Sequence, residues 1–288
     1  MTPGHPFPQS HPGTTQSITA QPECLYIRHL PDTAIKSPEQ PTDPVAEAEY
    51  AFARHAVDSG VKAAFLRYMD TSSVIFNNGR VTNGMRYWEK AKEPAATLYW
   101  QPVFACTAAD GQSGFTTGPF EWRRTTADSA LSCGQYTTVW QKDENGDWHF
   151  FADLGIGYHG SLFNKKPLRL YTPHLPSPNH ATAIAIDSNF IALFRREPTD
   201  AFKQVLLPET WLNFNGQHPV QTTAGIMATL QQIPAGLDFE PLAGFVADSR
   251  DLAYVYGHTL LAGKKENYLR VWAYTNAGWK LLLQVLRW

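Results

Sequence analysis

Hydrophobic positions begin to follow a pattern near residue 45. Ala48, Phe52 and Ala56 recur at helical spacing, as do Val61, Phe65 and Tyr68, and Gly60 separates the two runs. Val74-Ile75-Phe76 then reads as a strand and Asn77-Asn78-Gly79 as a tight turn. Residues 85–92 read as a short helix with Trp88 on its inner face. Four strand-like runs follow, at 98–108, 115–122, 134–142 and 148–158, with Asp110-Gly111 and Asn145-Gly146 at hairpin turns. Helices first and an antiparallel meander afterwards predict an α+β body.

The pattern then repeats. Shifted by 139 positions, residues 98–118 meet 237–257 without a gap: Leu98 meets Leu237, Pro102 meets Pro241, Phe115 meets Tyr254 and Gly118 meets Gly257. Earlier in the chain the shift is 137, so Ala64-Phe65 meets Ala201-Phe202. Later it is 132, so Tyr136 meets Tyr268 and Trp140 meets Trp272, and then 131, so Trp148 meets Trp279. The expected organisation is an internal duplication, with one body at residues 45–160 and a second, divergent one at 181–288. Residues 161–180, with four prolines, read as a linker. Residues 1–44 hold nine of the 21 prolines and none of the nine Trp, and are expected to form an extended or disordered arm.

Composition narrows the function classes. Lys plus Arg number 24 and Asp plus Glu 26, so no broad positive field exists to hold a phosphate backbone, and no nucleic-acid partner is expected. No apolar run is as long as a membrane helix needs, so no membrane partner is expected. Cys24, Cys106 and Cys133 form neither a disulfide framework nor a zinc pattern. No leader is visible at the N-terminus, so the expected compartment is cytoplasmic, or exported if a signal has been removed.

The pieces together resemble the nuclear transport factor 2-like superfamily in its SnoaL-like branch. They are Ala64 to Asp70, Val74-Ile75-Phe76, Gly79, Val81 to Gly84, Trp88, Leu98 to Pro102, Thr116 to Pro119, Gln135 to Trp140, Gly146-Asp147-Trp148 and Asp153. The resemblance implies two copies of a cone-shaped, strongly curved antiparallel sheet wrapped around helices, with a pocket at each mouth. Members of the family commonly pair through the sheet, which implies an intramolecular pseudo-dimer here. The family spans enzymes and non-catalytic binding or assembly domains, so it says little about reaction. Many relatives carry polar residues four and six positions after the Trp of the last strand. Here those are Ala152 and Leu154, and an apolar pocket wall is expected.

The candidate chemistry lies in carboxylates among aromatics. Asp70, Glu121 and Asp153 are the candidate general acids or bases, because an apolar surrounding raises a carboxyl pKa toward neutrality. Each has a plainer reading: a turn for Asp70, a pair with Arg123 or Arg124 for Glu121, an outer sheet face for Asp153. In the second copy they fall opposite Leu207, Leu260 and Gln284, so any activity is assigned to the first cone. Trp88, Trp100, Trp122, Tyr136 and Trp140 are candidate ligand-lining residues. Gly155 to Gly160 fits a dinucleotide-loop spacing but lacks the helix and distant acid that such a site needs. No metal-ligand cluster and no nucleophile elbow is present, and no cofactor or metal is expected. The expected function is binding of a small, largely apolar molecule, with a possible cofactor-independent lyase, isomerase or hydrolase activity. The alternatives are non-catalytic binding and an assembly module, and a further homo-oligomer is left open.

Overall fold

The computed structural model describes residues 43–173 and 175–288, which form one compact unit. The expected N-terminal arm lies outside the described residues except for its last two positions. The elements in chain order are α1 (Pro44–Ser59), α2 (Val61–Tyr68), β1 (Met69–Asn77), β2 (Arg80–Asn83), α3 (Gly84–Lys90), β3 (Thr97–Trp100), β4 (Phe104–Thr107), β5 (Ser113–Arg123), β6 (Ser132–Lys142), β7 (Trp148–Asp153), β8 (Ile156–Tyr158), β9 (Arg169–Leu170), α4 (Ala183–Phe194), α5 (Pro198–Val205), β10 (Leu206–Phe214), α6 (Thr223–Leu230), β11 (Asp238–Val246), β12 (Leu252–Leu261), β13 (Lys264–Thr275) and β14 (Gly278–Leu286).

Local chemistry sets the entry to the first helix. The Asp43 carboxylate accepts from the Val45 and Ala46 amides at 3.0 and 3.2 Å, and Pro44 occupies a first-turn position where its missing N–H is not needed. The same carboxylate accepts from the Thr107 hydroxyl at 2.8 Å, which ties the helix start to β4. Val45, Ala48, Phe52 and Ala56 then form the buried stripe of α1. Gly60, at φ 100°, breaks the run, and Glu93 restarts it by accepting from the Val61 and Lys62 amides at 2.6 and 3.0 Å.

The two halves share one strand order. In the first sheet it is β2-β1-β7-β6-β5-β4-β9, with β3 also on β5 and β8 also on β6; in the second it is β10-β14-β13-β12-β11. In each, the first long strand pairs parallel with the last, β1 with β7 and β10 with β14, and the rest of the meander is antiparallel. Both sheets are curved around their helices, an α+β architecture of two cones. The duplication extends to irregularities. In β1 the Ser73 hydroxyl donates to the Phe150 carbonyl at 2.6 Å and accepts from the Asp70 amide at 2.9 Å. In β10 the Thr210 hydroxyl donates to the Leu281 carbonyl at 2.6 Å and accepts from the Leu207 amide at 2.7 Å. Each hydroxyl bridges a register shift between the parallel strands. We expect Ser73→Ala to destabilise the chain by about 1–3 kcal/mol in urea melts, and Ser73→Thr to be near neutral, because a buried carbonyl and amide lose their partner in the first case only.

The faces of the two sheets turned away from their helices pack on each other. Phe104, Phe115, Val139, Ala152, Leu154 and Tyr158 of the first half share one core with Trp211, Tyr254, Leu269, Val271, Leu283 and Val285 of the second. Phe104 stacks on Trp211 with ring centroids 5.4 Å apart. A small polar network crosses this core. Trp211 Nε1 donates to Asn213 Oδ1 at 2.8 Å, and Asn213 Nδ2 donates to the hydroxyls of Thr117 and Thr137 at 3.2 and 3.3 Å. At one end the hairpin turns clasp reciprocally: the Ser249 amide donates to Asp110, and the Ala109 amide to Asp251, both at 2.9 Å.

Residues 161–180, expected to be a linker, are largely exposed where they are described and touch the body at β9 and at Ser177. β9 runs parallel to β4, and buried Ser177 donates its amide to the Arg250 carbonyl at 2.7 Å. The glycine-rich run enters β8, which pairs with β6, and the next element is the strand β9. Among the described residues no helix is long and apolar enough to cross a membrane.

Candidate functional site in the first cone

The inner face of the first sheet is the face that meets α1 and α2. Strand alternation places Thr116, Gly118 and Phe120 of β5 there, and Tyr136, Thr138 and Trp140 of β6. On β7 the alternation breaks. Trp140 pairs with Phe150 and Val139 with Ala152, so Phe151 is an extra residue in the strand. Simple alternation from Trp148 would turn Ala152 and Leu154 inward and Asp153 outward. The bulge reverses this: Ala152 and Leu154 enter the core between the sheets, and Asp153 faces inward, directly opposite Thr138. The expected apolar wall at 152 and 154 is therefore corrected, because an inserted residue changes the face of everything after it.

Glu49, on α1, lies at the centre of the cone with no exposed surface. Trp100 Nε1 donates to its Oε1 at 2.5 Å, Trp140 Nε1 to its Oε2 at 2.9 Å, and the Thr116 hydroxyl also to Oε2. Phe52, one helical turn on, packs against both indoles, with centroids 4.7 Å from Trp100 and 5.9 Å from Trp140. Burial pushes the Glu49 carboxyl up to about 7, and the hydrogen bonds from Thr116, Trp100 and Trp140 only partly oppose it. No cation pairs with it in the described residues.

Asp153 is the accessible partner. Its own surface keeps intermediate exposure. No donor among the described residues bonds its carboxyl. Burial first, and then the neighbouring Glu49 charge, push it up to about 8, with Arg287 opposing. Beside it the buried hydroxyls of Tyr136 and Thr138 close no hydrogen bond. Thr138 stands close enough to influence Glu49 without closing one. Burial, followed by Glu49, holds the Tyr136 phenol well above its ordinary range, so it stays protonated and able to donate.

Of the three carboxylates singled out in the sequence, only Asp153 enters this site. Asp70 is exposed and closes a turn, accepting from the Ser72 amide at 2.7 Å and the Ser73 amide at 3.0 Å. Glu121 is 1% exposed but sits on the opposite face of β5 and pairs with Arg123, whose Nε donates at 2.7 Å. The alternation of β5 turns Phe120 and Trp122 inward and Glu121 away. All five aromatic candidates pack on the inner core: Trp100, Tyr136 and Trp140 are buried in it, and Trp88 and Trp122 are partly buried against it. Trp88 packs on Phe65 at 4.7 Å, and its indole N–H has no partner. Glu49 was missed. Its signal was an acid inside the apolar stripe of α1 that recurs, at the spacing that joins Phe52 to Phe190, as Asp187 in α4.

The second cone holds the same acid in another state. Asp187 accepts from Tyr268 Oη at 2.7 Å, from Trp272 Nε1 at 3.2 Å and from Arg270 Nη1 at 3.1 Å on each oxygen. Arg270 stands where the first cone has Thr138, and Gln284 stands where it has Asp153. Arg270 Nε donates to Gln284 Oε1 at 2.7 Å, and Asp187, Arg270 and Gln284 are all fully buried.

Raised carboxyl pKa values carry a stability signature. A group that takes up its proton more readily in the folded state contributes stability that is present in full below its unfolded pKa and lost as pH rises through the folded value. For Glu49 the window runs from 4.5 to about 7. We expect the stability of the native chain relative to Glu49→Gln to fall by about 3 kcal/mol across it, read from urea melts at steps of pH. A flat difference would mean that Glu49 titrates normally.

No known family model and no curated protein matches the chain. Solved structures similar to it include nuclear transport factor 2 from Cryptosporidium parvum, at 14% identity and TM-score 0.34, over 40% of this chain and 98% of that one. An NTF-2 like protein of unknown function from Shewanella oneidensis has 15% identity and TM-score 0.32, over 40% of this chain and 98% of that one. A de novo designed protein with a curved β-sheet has 13% identity and TM-score 0.31, over 35% of this chain and 95% of that one. These likenesses are of fold alone, and each covers 40% of this chain or less.

Proposed function

We propose that the first cone is a small-molecule site in which Asp153 exchanges a proton with its ligand, without a cofactor, in a reaction of the lyase, isomerase or hydrolase type. One observation carries the reading. The buried Tyr136 and Thr138 hydroxyls have no partner and Asp153, opposite Thr138, accepts no hydrogen bond, while the equivalent place in the second cone holds the Arg270–Asp187 ion pair and leaves only Arg270 Nη2 and Gln284 Nε2 over. Asp153 is the group that can touch a ligand, and a carboxyl raised to about 8 is matched to proton transfer near neutral pH. Glu49 has no surface to offer and acts as a positioning residue: its charge holds up the Asp153 pKa, and its bonds orient Trp100 and Trp140. The Tyr136 hydroxyl is placed to donate to an oxygen or nitrogen of the ligand. The aromatic walls suit an otherwise apolar body.

Non-catalytic binding is the second reading, favoured by the complete burial of Glu49, which removes one of the two carboxyls from direct chemistry. Deuterium incorporation separates the two. The chain is incubated in D2O with a panel of small carbonyl and imine compounds and followed by NMR. Saturable exchange at a carbon next to the carbonyl or imine carbon supports proton transfer. Saturable binding with no exchange across the panel leaves the binder.

A further inference from the structure

We infer that the ligand of the first cone carries a planar organic cation, a guanidinium or amidinium group, which binds where the second cone holds the side chain of Arg270. The inference rests on the reading of the first cone as a small-molecule site and names the chemistry of what enters it. In the second cone the Arg270 guanidinium behaves as a captured ligand. It contacts both oxygens of Asp187 and lies over three rings, with its central carbon 4.0 Å from the Phe239 centroid, 4.4 Å from Tyr268 and 4.5 Å from Phe190. An always-charged, planar, weakly hydrated group suits such a box of rings with an acid at its end.

The first cone keeps the box and lacks the cation. Glu49 stands for Asp187, Phe52 for Phe190, Trp100 for Phe239 and Tyr136 for Tyr268, while Thr138 replaces Arg270 and shortens the side chain by the whole guanidinium arm. The groups around the missing arm are left over. The Tyr136 hydroxyl, whose counterpart bonds Asp187, has no partner. Neither has the Thr138 hydroxyl, and both residues are more than nine-tenths buried. Asp153 replaces the neutral Gln284 and adds a second acid with no donor. Two acids, two unpartnered hydroxyls and an aromatic wall, with Arg287 acting on Asp153 only through space and no cation bonded to either acid, are complementary to a cationic head that donates several N–H bonds in one plane.

Benzamidine is the probe, with neutral benzamide as its near-isostere, read by quenching of tryptophan fluorescence and by calorimetry at pH 8. Benzamidine is expected to bind saturably and at least about tenfold more tightly than benzamide, as a desolvated cation facing rings and a carboxylate requires. Thr138→Arg, which rebuilds the internal cation, is expected to abolish that binding. Should that variant fail to fold, Asp153→Asn, with a melt like the native chain, is expected to weaken benzamidine by about tenfold or more and leave benzamide unchanged. Equal binding of the two probes, or benzamidine binding that survives in Thr138→Arg or in folded Asp153→Asn, overturns the assignment. The neutral dye N-phenyl-1-naphthylamine separates the two levels of the argument. If the dye binds in a Thr138→Arg-sensitive way and benzamidine does not, the cation is wrong and the small-molecule site stands. If neither binds, both fall.

Discussion

Arg270→Met is expected to destabilise the chain by about 3–5 kcal/mol, the usual consequence of leaving one member of a buried ion pair alone. Arg270 and Asp187 have no exposed surface, and no other cation pairs with Asp187 among the described residues. Methionine retains much of the apolar stem over Phe239 and Phe190, so the loss isolates the charge. The penalty is that of a buried carboxylate left without its cation, and it is read at pH values where carboxylates are ionised. Asp187→Asn combined with Arg270→Met should recover most of the loss, since neither charge is then buried. Urea melts of the single and double variants at two pH values check this. A single-variant loss under about 1 kcal/mol at pH 8 would mean that Asp187 finds another partner or is reached by water.

Asp153→Asn is expected to lower turnover of any substrate of the first cone by about 10²–10⁴, the range for loss of a general acid or base. The amide keeps the size of the side chain and cannot take up a proton. Stability should change little or improve, because the native carboxyl has no donor and the second cone already carries Gln284 there. Asp70→Asn and Glu121→Gln are expected to leave turnover within about twofold, since the first residue caps an exposed turn and the second pairs on the far face of β5. Steady-state kinetics of the three variants, with melts as control, reads the split. Equal losses at Asp70 and Asp153 would place the chemistry outside the cone. The rate should also follow the protonation of Asp153, with a limb near pH 8.

Much of the architecture could be read from the chain, because it is written in periodicities that tertiary contacts reinforce. The stripe Ala48, Phe52, Ala56 gave α1, Asn78-Gly79 gave the hairpin turn between β1 and β2, and the repeated aromatics gave two sheets of one order. The site was less legible for two physical reasons. A bulge is a one-residue event with no composition of its own, and the extra residue at Phe151 exchanged the faces of Ala152, Asp153 and Leu154. And an acid inside an apolar helix stripe looks like a break in the stripe until its donors are known. Those donors come from residues 51, 67 and 91 positions away, Trp100, Thr116 and Trp140. The comparison of copies assigned activity to the first cone through acids that the second lacks, Asp70, Glu121 and Asp153, and passed over the acid present in both, as Glu49 and Asp187.

The packing of the two sheets within one polypeptide bears on how the cones came to differ. In an assembly of two identical chains every substitution is made twice. A Thr→Arg change in the inner sheet would place a guanidinium in both interiors together. With the copies fused, the change can fall on one interior alone. The half that holds Arg270 still packs its outer sheet on the other, with Trp211 and Asn213 against Phe104, Thr117 and Thr137. The fusion also fixes the local concentration of one half around the other, so dilution does not separate them. Fusion thus lets the two interiors differ at Thr138 and Arg270 while the two halves still share one core.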